Sequence, residues 1–458
     1  MLRLQFHSMC REWPKLSIMI VTSMKVSALK YTLLAWVSTL AMVIILLLPF
    51  HAFLTIWLSS LIGHYTALRL WKEVLLLISV VAVLFLVATD HRIRSHTLTR
   101  RLVWLILAYM ALNVAWGVIA YSGHDVTAKA LGYGLIVNLR FLAFFLVTWT
   151  VALRMARLRV HWQWITLWPA VLVIAFGLLQ ILVLPHDFLH HFGYGPHTIA
   201  PFETINHNNQ YVRYASTLRG ANPLGAYLLI PISLLSIIWL KGKRRRLYAG
   251  LIVAALIVEF FTFSRSAWIG TVLSMGTITL LSLRSKRAKQ IALSCVAVLA
   301  VLTAGSYAIW HHNVRYENFV LHTQTHSAIK TTSNAGHLSA LKDGVRDVLH
   351  EPLGGGPGTA GPASIYNSGR TRIAENYYVQ VGQETGWLGL VLFMLITVGV
   401  GYLLWLRRDH PLALALFASL VGLTFINLLS HAWADDTLAY IWWGLAGIAM
   451  APGLNKEE

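Results

Sequence analysis

Residues 223–263 read PLGAYLLIPISLLSIIWL, then KGKRRR, then LYAGLIVAALIVEFFTF. Two almost uninterrupted apolar runs flank a turn in which every residue but Gly242 is basic. A membrane-spanning helix needs about 20 mostly apolar residues, so this stretch reads as a transmembrane hairpin with a cationic turn. The same pattern recurs outward in both directions. Candidate spans fall at about 31–49, 71–89, 102–120, 130–152, 161–184, 223–240, 247–263, 266–283, 290–310, 387–405, 411–431 and 437–452, twelve in all. Pro49 to Leu70 has room for a re-entrant or interfacial helix. Basic residues cluster before the first span, in 90–101, in 154–159, in 241–246, in 284–289, at Arg407 and Arg408, and at Lys456, and hold 24 of the 37 Lys and Arg. If the spans alternate, all of these lie on one side, which the positive-inside rule makes the cytoplasm. Both termini are then inside.

Composition agrees. Of 458 residues, 57% are hydrophobic and 12% charged, against roughly 25% charged in a soluble domain. That excludes an ordinary cytosolic enzyme and a disordered or fibrous chain. The formal charge of +19 reports topology and contact with anionic lipid, not a nucleic-acid surface. Cys10 and Cys295 form neither a CxxC nor a disulfide framework. The first apolar run is as long as a span and ends at Pro49 without a small-residue cleavage site, so it reads as a retained anchor.

No tandem or inverted repeat is visible. The expected order is a cytoplasmic segment 1–30, nine spans over 31–310 with an external loop at about 185–222, and a periplasmic loop domain at 311–386. Three more spans follow over 387–452, then a cytoplasmic tail 453–458. In the second loop, Leu338, Leu341, Val345, Val348 and Leu349 recur at helical spacing over 336–349, an amphipathic helix that would lie on the membrane face or cap a cavity. His337 stands in its first turn. Pro352 and the run Gly354-Gly355-Gly356-Pro357-Gly358 end the helix. Residues 375–384 look helical again and lead into the span at Trp387.

Three stretches carry a family resemblance: Arg219-Gly220-Ala221-Asn222-Pro223-Leu224-Gly225, Thr262-Phe263-Ser264-Arg265-Ser266-Ala267-Trp268, and His337 followed by Glu351-Pro352-Leu353-Gly354-Gly355-Gly356-Pro357-Gly358, Asn376-Tyr377-Tyr378 and Gly386-Trp387-Leu388-Gly389. Their order and sidedness resemble the O-antigen ligase and polymerase superfamily of bacterial membrane glycosyltransferases, over roughly 219–405. His337 at the helix start resembles the ligase pattern more than the polymerase one. The resemblance implies an all-α, multi-pass inner-membrane enzyme similar to metal-independent glycosyltransferases of the GT-C type. It would transfer polysaccharide from undecaprenyl diphosphate to lipid A–core on the periplasmic face, with inversion and no cofactor. Glu375 stands where many relatives carry His and is given no catalytic role. Asn376 is a substrate-binding candidate.

Such a donor expels a diphosphate anion, so its site needs fixed cations, and Arg suits phosphate by its bidentate, permanently charged fork. Arg265, at the external junction of two short spans, is the first candidate. Arg219 and Arg213 lie at the mouth of a span, and Arg140 lies inside one, where an Arg costs roughly 2.5–3.5 kcal/mol on insertion scales and normally faces a partner or a cavity. Each could instead be structural; Glu73 and Glu259 are acids able to neutralise Arg140. The acceptor hydroxyl needs a general base, worth roughly 10²–10⁴-fold, and an imidazole suits. Among 20 histidines, His337 is the choice. Arg346, on the same helix, could reach a phosphate or sit in solvent. No DxD pair is present. Asp435-Asp436 and Asp343 with Asp347 read as solvated or salt-bridged faces, and the paired histidines 190–191 and 311–312 as interfacial loop residues, before any of them reads as a metal ligand. The glycine run could form a phosphate nest or a tight turn. A polymerase with the same donor, or a lipid-oligosaccharide transporter, is the alternative.

Overall fold

The computed structural model describes residues 28–205, 208–242, 244–282, 305–313, 333–368 and 371–452, with isolated positions between 283 and 332. The expected segments 1–30 and 453–458, the span 290–310, the His-rich stretch 311–335 and both cysteines lie largely or wholly outside them.

The described chain is almost entirely helical, as an all-α membrane protein must be when no water satisfies its backbone. Helix α1 covers 28–47 and runs on through a 3-10 turn at Leu48–Phe50 into α2, His51–Ile62. There follow α3 (Tyr65–Arg69), α4 (Trp71–Thr89), α5 (His91–Leu98), α6 (Arg101–Ser122), α7 (Ala128–Arg154), α8 (Ala156–Leu182), α9 (Ala221–Lys241), α10 (Arg245–Phe260) and α11 (Arg265–Ser282). After the loop come α12 (Ser333–His350), α13 (Tyr377–Leu406), α14 (Pro411–Leu429) and α15 (Asp436–Met450). Helices α2 and α3 occupy the segment after Pro49 left open for an interfacial helix. The first long loop adds an antiparallel hairpin of β1 (Glu203–Ile205) and β2 (Asn208–Arg213), paired Glu203 to Arg213. Nothing in its polar sequence marked these strands.

Eight of the twelve expected runs form helices long and apolar enough to cross a membrane. Three others, α10, α11 and α15, have 16, 18 and 15 residues, or about 22–27 Å at 1.5 Å per residue. Helix α15 is held inside the bundle: Tyr440, Trp442 and Trp443 are all buried and the helix packs along α7.

Helix α12 begins at Ser333, three residues earlier than expected, which moves His337 into its second turn. Its far end is fixed to α13. Arg372 donates from Nε to Asp347 at 3.0 Å and from a terminal nitrogen to Glu351 at 2.9 Å, while Gln383 Nε2 donates to Asp347 at 2.8 Å. Asp347 is therefore committed to protein donors, not to an ion shared with Asp343.

The glycine run explains how α12 reaches α13. Helix α13 breaks at Gly386, where φ is 63° and ψ −166°, and a break strands the preceding carbonyls. Gly355 and Gly356 N–H donate to the Gln383 and Glu384 carbonyls, both at 2.8 Å, and Gly358 N–H donates to the Glu384 carboxylate at 2.8 Å. Pro352 O takes the N–H of Trp387 at 3.0 Å. These amides are spent inside the protein, so the tight turn, not the phosphate nest, is what forms.

Gly358 also presses its backbone against Ala130 of α7 at φ 95°. A Cβ there would meet Ala130 O in a left-handed conformation, at a cost of about 2–4 kcal/mol from crowding and strain together. Gly358→Ala should therefore lower the thermal unfolding temperature in detergent by several degrees, whereas Gly250→Ala, which meets open space on α10, should not lower it. Tryptophan-fluorescence melts check both.

Candidate functional site

A cavity of about 650 Å³ opens where the N-terminal ends of α9 and α11, the C-terminal end of α14, the start of α12 and the 430–435 turn meet. The sequence put three arginines and one histidine here from four separate segments, and each arrives by identifiable local structure. Thr262, Phe263 and Ser264 make the corner between α10 and α11. Thr262 Oγ1 donates to Glu259 O at 2.6 Å and accepts from Ser264 N–H at 3.2 Å, and Phe263 takes a left-handed φ of 52°. This sharp corner makes Arg265 the first residue of α11, beside the free N–H groups that a helix start presents to anions. Ser264 and Ser266 line the cavity on either side of it.

Arg213 closes the β hairpin. Its Nε donates to Thr262 O at 2.9 Å, one terminal nitrogen donates to Asn222 Oδ1 at 2.5 Å, and the other pairs with Glu203 at 3.4 Å. The hairpin is thereby tied to the same corner that carries Arg265. Arg219, just before α9, donates from Nε to Asp435 Oδ2 at 2.8 Å. Asp435 caps α15, accepting from Leu438 N–H at 3.1 Å.

His337 enters from α12, with Leu338 and Leu341 beside it on the wall. The apolar face of α12 thus caps the cavity. The His337 Nδ1 contacts a carboxylate oxygen of Glu375, itself at a left-handed φ of 52°. Burial, then Arg265 and Arg213, hold the imidazole below its ordinary pKa. Glu375 acts in the opposite sense, and the two guanidiniums with burial outweigh it. A neutral ring that donates Nδ1–H to Glu375 leaves Nε2 as an acceptor toward the cavity. Glu375, given no role from the sequence, is the residue that orients the candidate base.

A second imidazole, His431, lies on the same wall. Its Nδ1 is buried without a hydrogen-bond partner among the described residues. Burial, Arg219 and His337 push its pKa down to about 4. No local motif distinguished it among the histidines; its position at the end of the penultimate expected span, four residues before Asp435, was the available signal.

Three candidates are placed elsewhere. Arg140 is 6% exposed and does not line the cavity. It donates to Ala434 O at 2.7 Å and pairs with Glu73 at 3.4 Å and Asp436 at 3.9 Å. Glu73, not Glu259, is its acid; Glu259 accepts from Thr271 at 2.6 Å. Around them, Lys72, 1% exposed, pairs with Asp436 at 3.1 Å, and His51 faces Asp436 at 3.4 Å. Asp435 and Asp436 are both buried, which corrects the solvated reading and bears out the salt-bridged one. Arg346 is exposed on α12, away from the cavity. Asn376 caps α13, accepting from Val379 N–H at 3.0 Å and donating to Leu428 O at 2.9 Å, so its side chain is structurally engaged.

The sequence model of the O-antigen ligase family matches residues 251–394. That stretch, under half of the chain, is similar to an O-antigen ligase domain. The matched stretch takes in the corner before Arg265, the α12 helix with His337, Glu375 and the glycine turn, while Arg213, Arg219, His431 and Asp435 reach the cavity from outside it. No curated protein matches the chain. This match, with the apolar helices, supports a ligase- or polymerase-type function in lipopolysaccharide biosynthesis and a glycosyltransferase-like activity in a multi-pass membrane protein.

The electrostatics of the site are directly measurable. In histidine-labelled protein, His337 should titrate below pH 6.5 and His431 near pH 4. Removing a neighbouring anion disfavours the protonated ring, so Glu375→Gln should lower the His337 value further. Titration of His337 at or above 6.5 by NMR would contradict this geometry.

Proposed function

We propose that this protein is an O-antigen ligase. It transfers polysaccharide from undecaprenyl diphosphate to a sugar hydroxyl of lipid A–core, on the periplasmic side of the bacterial inner membrane, with inversion and without a metal. The observation that carries this reading is the meeting, in one cavity, of an imidazole held by Glu375 and three arginines, one at the start of α11, one just before α9 and one at the end of the β hairpin.

The donor enters from the bilayer, and its diphosphate lies against Arg265, with Arg213 and Arg219 completing the cationic wall. His337 Nε2 takes the proton of the acceptor hydroxyl. The hydroxyl oxygen bonds to the anomeric carbon as the bond from that carbon to the diphosphate oxygen breaks, and the electron pair leaves with the diphosphate. Arginine charge meets the anion, so the leaving group needs no proton. Glu375 stabilises the transient imidazolium, which returns its proton to water. His431, uncharged at neutral pH, offers a hydrogen-bonding group to a sugar. Arg140 is engaged by Glu73, Asp436 and a carbonyl.

Purified protein supplied with undecaprenyl-diphosphate glycan and lipid A–core in the presence of EDTA should form the conjugate. His337→Ala should lose about 10²–10⁴-fold in turnover while retaining donor binding. Glu375→Gln should retain binding, lose less turnover, and move the acid limb of its pH–rate profile to lower pH. Elongation of the donor in place of conjugation would make the protein a polymerase, and conjugation at wild-type rate by His337→Ala would remove the base from the mechanism.

A further inference from the structure

A second cavity, of about 540 Å³, lies at the other end of the bundle. Helices α14 and α15 reach the first cavity at the C-terminal end of α14 and at Asp435, and this one at the opposite ends, Leu412 and Ile448. Its remaining wall is the start of α8, with Arg159 and Val160, and the α13–α14 turn, with Arg407 and His410. The basic clusters of the sequence put this end in the cytoplasmic leaflet.

Three observations point to one ligand. Arg159 lines the cavity as a partly exposed side chain, and its Nε is shielded from solvent with no hydrogen-bond partner among the described residues, a shielded donor of the kind that normally finds an acceptor. Cations outnumber anions here: Asp409 on the rim offsets one of the two guanidiniums. The surplus is felt locally, since burial, Lys241 and Arg407 depress His410, and burial and Arg100 depress Arg407. Val160, moreover, begins an apolar stripe. Val160, Trp164, Trp168 and Leu172 are exposed at four-residue intervals on α8, so they share one face of the helix and run from the cavity rim toward the bilayer centre.

We infer that this cavity binds the phosphodiester headgroup of an anionic phospholipid, with Arg159 as its principal donor and an acyl chain lying along the Val160–Leu172 stripe. A free phosphate would satisfy the cations but leave the stripe without a role. The apolar continuation therefore selects a lipid of the inner leaflet, and basic pockets between helices at this membrane face have the chemistry for it. The site is separate from the ligase cavity and does not depend on what that cavity does.

Native mass spectrometry of delipidated protein, given phosphatidylglycerol or phosphatidylcholine, tests this. Wild type should retain phosphatidylglycerol about tenfold better, the worth of one charge-assisted hydrogen bond. Arg159→Gln should bring that preference close to one without altering the melting temperature. Val160→Asp, which leaves Arg159 in place but sets a carboxylate on the acyl track, should do the same. Arg407 is left intact because it donates to Ala449 O at 3.1 Å and so caps α15. Equal lipid preference in wild type and both variants would overturn the site, and displacement of the lipid by millimolar inorganic phosphate would overturn the lipid as its ligand.

Discussion

Asp435 and Asp436 stand side by side at the head of the last helix and hold different partners. Asp436 is met by Lys72, Arg140 and His51, drawn from α4, α7 and α2. Asp435 is met by Arg219, just before α9. Burial raises the Asp435 carboxyl above its usual range against the pull of that guanidinium, so the contact works against a desolvation cost. Removing Arg219 would leave the buried Asp435 carboxylate without its counter-charge, a loss that solvent moderates because the Arg219 side chain is 39% exposed. The network thus favours one arrangement of the helix ends around the cavity. Arg219 is aimed by it, and the 430–435 turn that carries His431 is held between the same helices.

The other half of the site depends on a different constraint. His337 rides on α12, outside the bundle, and the angle of that helix is set where its C-terminal end meets α13. The break at Gly386 strands two carbonyls, and the glycine turn answers them with two amides. Asp347 and Glu351 then pin Arg372, while the His337 end lies over the cavity beside Glu375 and the apolar wall.

Much of this was legible in the sequence for physical reasons. Apolar runs and their basic ends report membrane insertion directly, and Arg265, Arg219, Arg213 and His337 stand beside turn and helix-start signals that put them at one face. What was not legible depends on pairing between distant segments. Arg140 stands alone in the middle of α7 and Lys72 follows no motif beside Glu73 at the start of α4, and packing shows that both are spent on carboxylates of α4 and α15. Asn376 reads as a binding residue until the start of α13 makes it a cap. Glu375 was set aside because relatives carry another residue there, yet its carboxylate reaches His337. His431 has no periodicity or motif of its own; burial beside Arg219 is what distinguishes it.

The central claim is that one cavity holds the diphosphate on its arginines and the reacting sugar at His337. The most direct measurement is an experimentally determined structure of the protein with undecaprenyl-diphosphate glycan bound. The account predicts diphosphate oxygens within hydrogen-bond distance of Arg265 and at least one of Arg213 and Arg219, with the anomeric carbon turned toward His337 Nε2. A diphosphate seated away from these arginines, or a sugar on the far side of the cavity from His337, would contradict it.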